Sequence, residues 1–173
     1  ERFDGESAPF YEDLDWHLRK ADAHQTPFTS AVPLFRALAV AVEEIREEGM
    51  GPRIERHRRQ SRAFRGGFDA LGLEAFPTLR EGTEKSNTLT AIELPAVVKD
   101  DPDAFFGAVK ERNVSISGGQ AHLGGEIFRV SNMGNFTPEQ IVRGVRTVGE
   151  AMNDAGFECE VEAGVEAARS ELA

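Results

Sequence analysis

Apolar positions first recur at helical spacing near the start of the chain. Phe10, Tyr11, Leu14 and Leu18 fall three or four residues apart and predict a short helix. Trp16 adds a third aromatic to this short stretch, which is the pattern of a segment that docks on something. The periodicity then stops. In Gln25-Thr26-Pro27-Phe28-Thr29, Pro27 biases Thr26 towards extended backbone, so an arm is expected there. Helical spacing resumes with Val32, Leu34, Phe35, Leu38, Val42 and Ile45, predicting a helix over about 31–48 with Ser30 as its N-cap and Gly49 as its stop. A second helix is expected over about 52–71. Its inner stripe reads Ile54, Ser61, Phe64, Phe68 and Leu71, and Gly72 closes it. So short a turn between two helices predicts a helical hairpin.

Beyond Leu73 the period changes. Residues 73–77 make a candidate short strand, and Thr88 to Leu94 alternates in β-forming residues. Asp101-Pro102-Asp103 opens a helix through about Arg112, with Phe105, Phe106 and Val109 on its buried face. Val114 to Ser117 is a short strand, 118–125 a glycine-rich loop, and Glu126 to Val130 the last clear strand. Thr137 followed by Gln140 has the spacing of a capping box, and the helix it opens runs to about Asn153. An acidic tail ending in a short helix completes the chain. The expected class is therefore α+β, an α/β two-layer arrangement in which helices cover a small, antiparallel-rich sheet, preceded by the hairpin and the arm.

Composition narrows the function classes. The 173 residues suit one domain with an arm, and 40% hydrophobic residues suffice for a core. Thirty acidic against 20 basic residues give a net charge of −10, which disfavours phosphate backbones and anionic membranes as partners. Only four basic residues are lysines (20, 85, 99 and 110), a composition that fits either high internal salt or a GC-rich genome. One cysteine, Cys159, excludes an intrachain disulfide. No apolar run is long enough for a membrane span and no leader is evident, so a cytoplasmic protein is the expectation. The chain does not begin with Met, which suits a piece of something longer.

Few residues invite chemistry. Arg129 interrupts the apolar run Ile127-Phe128-Arg129-Val130, where a guanidinium is costly unless an anion meets it. That anion is either a ligand carboxylate, which the planar fork binds with two hydrogen bonds, or one of the many acidic side chains. The second arrangement is the commoner one on pattern alone. Thr26 and Thr29 place hydroxyls before a helix N-terminus, suited to a phosphate or to simple capping. Gly118-Gly119 either lets backbone approach a ligand or makes a tight turn. The arginines at 53, 56, 58, 59, 62 and 65 crowd one helix. A solvated face paired with Glu43, Glu44, Glu47 and Glu48 explains them better than nucleic acid does. His17, His24, His57 and His122 lack metal-ligand spacing, and no metal site is expected.

Taken in order, these segments resemble a known family. Thr26-Pro27-Phe28-Thr29 before a long helix, Arg56-His57-Arg58, Ser86-Asn87-Thr88-Leu89-Thr90-Ala91, Ile116-Ser117-Gly118-Gly119 and Phe128-Arg129-Val130-Ser131-Asn132-Met133-Gly134 are similar to the C-terminal part of class V, fold-type I aminotransferases of the alanine–glyoxylate and serine–pyruvate group. The resemblance covers about Phe10 to Gly156. It implies a pyridoxal 5'-phosphate enzyme, homodimeric, that moves an amino group between a small amino acid and a 2-oxo acid. It implies that Arg129 binds the substrate carboxylate, with Gly118 and Gly119 beside it, and that Thr26 and Thr29 reach the cofactor phosphate of the neighbouring subunit. None of the four lysines lies in the family's Schiff-base motif. Residues 1–30 would then be the end of a large domain and an interface arm, and 31–173 the small domain. A missing N-terminal large domain would hold most of the cofactor, leaving this piece inactive alone. The alternative is a non-catalytic α+β binding module that kept the small-domain fold.

Overall fold

The computed structural model describes residues 9–173, so the first eight residues of the expected arm lie outside the described residues. The chain divides into two compact units, Glu1–Glu48 and Gly49–Ala173.

In the first unit a 3-10 turn at Phe10–Glu12 leads into α1, Leu14–Asp22. The Asp13 carboxylate accepts the Trp16 N–H at 3.0 Å and caps that helix. The following segment returns so that the Phe28 ring stacks on Tyr11 at 4.7 Å and meets Phe10 edge-on at 5.3 Å. The Phe28 carbonyl accepts from Thr26 Oγ1 at 2.7 Å, and Ser30 Oγ donates to Thr26 Oγ1 at 3.1 Å. Ser30 is therefore not the cap of the next helix. That helix, α2, spans Val32–Glu48, begins two residues later, and buries none of its residues.

The second unit opens with α3, Met50–Ala70, after Gly49 in a positive-φ conformation that only glycine adopts freely. The two helices expected to pair as a hairpin thus fall in different units. Of the expected inner stripe of α3, Ser61, Phe64, Phe68 and Leu71 are buried, whereas Ile54, in the first turns, stays 42% exposed. Four strands follow: β1 (Ala75–Phe76), β2 (Leu89–Glu93), β3 (Ser117–Gly118) and β4 (Ile127–Ser131), all antiparallel in the order β1-β2-β4-β3. The outer strands are shorter than the sequence pattern suggests. Their alternating residues continue past the point where a partner is in reach, and a strand ends where its ladder ends.

Between β2 and β3 run a short helix that the sequence reading missed, α4 (Ala96–Lys99), and α5 (Pro102–Glu111), capped by Asp101. After β4 comes α6, Pro138–Asp154, with the anticipated capping box formed by Thr137 and Gln140. The acidic tail then folds as α7, Val161–Leu172. Period-2 alternation sends Thr90 and Ile92 of β2, and Phe128 and Val130 of β4, to one face of the sheet, where all four are buried. There Phe128 meets Phe68 of α3 edge-on at 5.6 Å and Phe105 of α5 at 5.4 Å. This aromatic trio ties sheet and helices together. The architecture is α+β, as expected.

Helices α3 and α7 approach unusually closely. A Cβ added at Gly164 would lie 2.7 Å from Leu71 side-chain atoms and 2.9 Å from the Gly67 carbonyl oxygen. At Gly67 it would meet the Val145 methyls at 2.9 Å. Two glycines facing each other across the crossing let the backbones touch.

Candidate functional site

Because β3 pairs with β4 only through Ser117↔Arg129 and Gly118↔Phe128, the chain on either side of that short ladder diverges. Residues 113–117 form one wall of a cleft of about 600 Å³, β4 and the turn after it form another, and α6 contributes Gln140, Ile141 and Arg143. All of it belongs to the second unit.

Arg129 stands in the middle of β4, beside Ala91 of β2 and Ser117 of β3. It points away from the buried face that carries Phe128 and Val130, which is why it is half-buried rather than enclosed. Its Nε donates to the Gly118 carbonyl at 2.9 Å, which fixes the plane of the guanidinium. Among the described residues no carboxylate lies within ion-pair range of it, and its two Nη groups have no acceptor. The structural ion pair that pattern alone favoured is therefore not formed among the described residues, in a chain with 30 acidic residues.

The structure places Gly118 and Gly119 differently. Gly118 is the strand residue whose carbonyl orients Arg129, and an added Cβ would sit 3.3 Å from the Phe106 ring. Neither glycine lines this cleft; both border a neighbouring hollow with Phe106 and Lys110. The Gly119 N–H donates to Ile127 O at 3.0 Å, and an added Cβ would run into the Leu123 carbonyl oxygen. The close backbone approach it permits is internal. Thr26 and Thr29 belong to the first unit, where the Thr26 hydroxyl is engaged with Phe28 and Ser30.

Behind the cleft, Asn132 is fully buried. Its Nδ2 donates to Asn87 O at 3.0 Å and His57 O at 3.2 Å, joining β4 to the approach to β2 and to α3. Gln60 Nε2 donates to Phe136 O at 2.8 Å and secures the turn after β4. Sequence reasoning missed these anchors, because a polar residue after a strand reads as the beginning of a loop. Arg143, exposed on α6, also borders the cleft. On α3, Arg62 pairs with Glu55 and with Glu171 of α7 at 3.5 and 3.2 Å, so part of the arginine-rich face is internally neutralised.

No lysine lines the cleft. Lys20 lies over the Trp16 ring in the first unit, and Lys99 bonds Glu126 at 2.8 Å. Lys85 and Lys110 border other hollows.

No family model matches the chain. Curated relatives do. It is 37% identical over 94% of its length to an uncharacterized aminotransferase of Methanocaldococcus jannaschii, covering 41% of that protein. It is 32% identical over 86% of its length to a protein of Synechococcus named soluble hydrogenase small subunit, covering 37% of it. It is 30% identical over 84% of its length to the serine–glyoxylate aminotransferase of Arabidopsis thaliana, covering 36% of it. Among solved structures, pyridoxamine–pyruvate aminotransferase of Mesorhizobium loti superposes with a TM-score of 0.78 at 30% identity, over 84% of this chain and 37% of that one. Ureidoglycine–glyoxylate aminotransferase of Bacillus subtilis shares the fold, with a TM-score of 0.84 at 23% identity over 94% of this chain and 41% of that one.

The fold is that of an aminotransferase C-terminal domain. By sequence and structure together, the chain belongs with the class V aminotransferases, and it spans about two-fifths of the length of the curated relatives it matches.

Proposed function

We propose that this chain is the C-terminal, carboxylate-binding portion of a pyridoxal-phosphate aminotransferase that moves an amino group between a small amino acid of the serine or alanine type and a 2-oxo acid such as pyruvate or glyoxylate. The observation that carries the reading is Arg129: half-buried, oriented by the Gly118 carbonyl, and without a carboxylate partner among the described residues. Both substrates of a transamination carry an α-carboxylate, and one guanidinium fork serves both. The serine–glyoxylate name of the Arabidopsis relative supports the small-substrate side.

When bound, the cofactor supplies the electron sink for amino transfer. With no lysine at the cleft, it is held mainly by an N-terminal large domain outside these residues, which agrees with the two-fifths share of the relatives that is matched. Residues 1–30 are assigned to the end of the large domain and to an arm at a homodimer interface, where Thr26 and Thr29 serve the neighbouring subunit's phosphate. Residues 31–173 are the small domain. Arg129 binds and orients the substrate, and the chain alone does not turn over.

The test is an amino-transfer assay on the complete protein, with serine and alanine against glyoxylate and pyruvate. Arg129→Ala is expected to raise KM for the 2-oxo acid about ten- to a hundredfold, the range for hydrogen bonds to a charged group. Amino transfer with an unchanged KM in the variant would remove Arg129 from the site. No amino transfer with any pair would favour the non-catalytic binding module.

A further inference from the structure

Alternation along β4 puts Arg129 on the face of the sheet opposite the one that Phe128 and Val130 bury. Ala91 and Glu93 of β2 and Ser117 of β3 share that face. The register makes Ala91 and Ser117 the direct neighbours of Arg129, one on each side, and Cβ atoms in such pairs lie about 5 Å apart. Glu93, two residues along β2 from Ala91, is the carboxylate that the register brings closest, and it forms no ion pair with Arg129. The bond from Nε to the Gly118 carbonyl at 2.9 Å draws the guanidinium the other way, towards β3. There Ser117 is exposed and lines the same cleft, and its hydroxyl has no hydrogen-bond partner among the described residues. Ser131, also in the cleft, is already committed, since its Oγ accepts the Met133 N–H at 3.3 Å. Ser115 lies beyond the end of the β3–β4 ladder.

A carboxylate has two oxygens and about four acceptor positions. With Nε committed to Gly118, Arg129 meets it through Nη1 and Nη2, an end-on fork that leaves part of that capacity unfilled. In a partly enclosed site an unfilled charged acceptor is costly. We propose that Ser117 completes the fork, its hydroxyl donating to the substrate carboxylate oxygen on the β3 side while Arg129 holds both oxygens. Ala91, on the β2 side, offers no donor, so the added hydrogen bond comes from β3 alone. This rests on the aminotransferase reading above and adds a second binding residue to it. The amino acid and the 2-oxo acid carry the same α-carboxylate, so Ser117 serves both halves of the reaction. It reads the end that the two substrates have in common and not their side chains.

The experiment uses the complete protein as wild type, Ser117→Ala, Ser117→Thr, Arg129→Ala and the Ser117→Ala/Arg129→Ala pair. With serine or alanine as donor and glyoxylate or pyruvate as acceptor, kcat/KM is measured for each substrate separately. Ser117→Ala is expected to lower both values about tenfold through KM, the size of one hydrogen bond to a charged group. Ser117→Thr keeps the hydroxyl and should lose less than about twofold. On the Arg129→Ala background, Ser117→Ala should add less than about twofold, because the carboxylate is no longer held beside it. A loss confined to one of the two substrates, a threonine variant as poor as the alanine one, or fully multiplicative losses in the pair would each overturn the proposal. A second measurement needs no turnover: thermal stabilisation by propionate, which has the carboxylate and neither an amino nor a keto group. Ser117→Ala should need about tenfold more propionate for the same rise in midpoint. Equal responses of variant and wild type, or no stabilisation of the wild type, would also overturn it. Propionate binding that depends on Ser117 in a protein that transfers no amino group would instead mean that the aminotransferase reading fails and the anchor stands.

Discussion

At the scale of single residues, Arg129, Asn132 and Gly119 show three different ways in which a position matters. Arg129 was conspicuous in the sequence, because a guanidinium inside an apolar strand demands an explanation. What the pattern could not show was which partner it has, since a carboxylate from any of 30 acidic residues would look the same in one dimension. Asn132 shows the opposite case. Its three-way junction with Asn87, His57 and Gln60 depends on residues 45 to 75 positions away, so no local signal marked it. Gly119 is the missing side chain. Its hydrogen is all that fits against the Leu123 carbonyl, so Gly119→Ala must displace the turn that carries Leu123. The expected cost is about 1–3 kcal/mol, the range for overpacking at a rigid contact. A urea titration comparing midpoints at constant slope reads it directly, and a variant as stable as the wild type would mean that the turn yields freely.

Among elements, the helices were the most legible part of the fold. The α6 boundary and its capping box followed from Thr137, Pro138 and Gln140 alone, because capping chemistry is local. The edge strands were overcalled for a complementary reason: β-propensity is local, but a strand needs a partner, and β1 and β3 keep theirs for two residues each. The tail was undervalued. Its Ala, Gly and Val content gives a weak stripe, yet Val165 and Ala168 of α7 are fully buried. Small residues there mark a close crossing rather than a poor core. Gly164→Ala gains helix propensity of about 1 kcal/mol, but it brings a methyl within 2.9 Å of the Gly67 carbonyl, which cannot swing aside as a side chain can. The steric term is expected to win, lowering the thermal midpoint by several degrees, roughly the effect of 1–2 kcal/mol in a domain of this size. A calorimetric scan decides the sign.

For the whole molecule, charge is the property that the sequence states most plainly and that no single contact explains. With a net charge of −10, self-repulsion works against compactness, and added salt should relieve it. The ion pairs among the described residues are mostly surface pairs and are individually modest. Their screening is therefore expected to cost less than the loss of repulsion gains. The thermal midpoint should rise between 0.1 and 1 M KCl, and a fall would show that the pairs, not the net charge, dominate. The division into two units was not legible. The sequence offers Gly49 as a helix stop, but a glycine between two helices marks a hairpin turn and a unit boundary alike.

The crossing of α3 with α7 also sets a schedule. These are the first and last helices of the second unit, separated by about a hundred residues. On a ribosome adding roughly 5–20 residues per second, the end of α3 that carries Gly67, followed by Leu71, emerges roughly five to twenty seconds before α7 is made. Throughout that interval an apolar contact surface stands uncovered in the cell, and a chaperone that shields it until Leu172 has cleared the exit tunnel would decide how much of the newly made chain reaches the folded state.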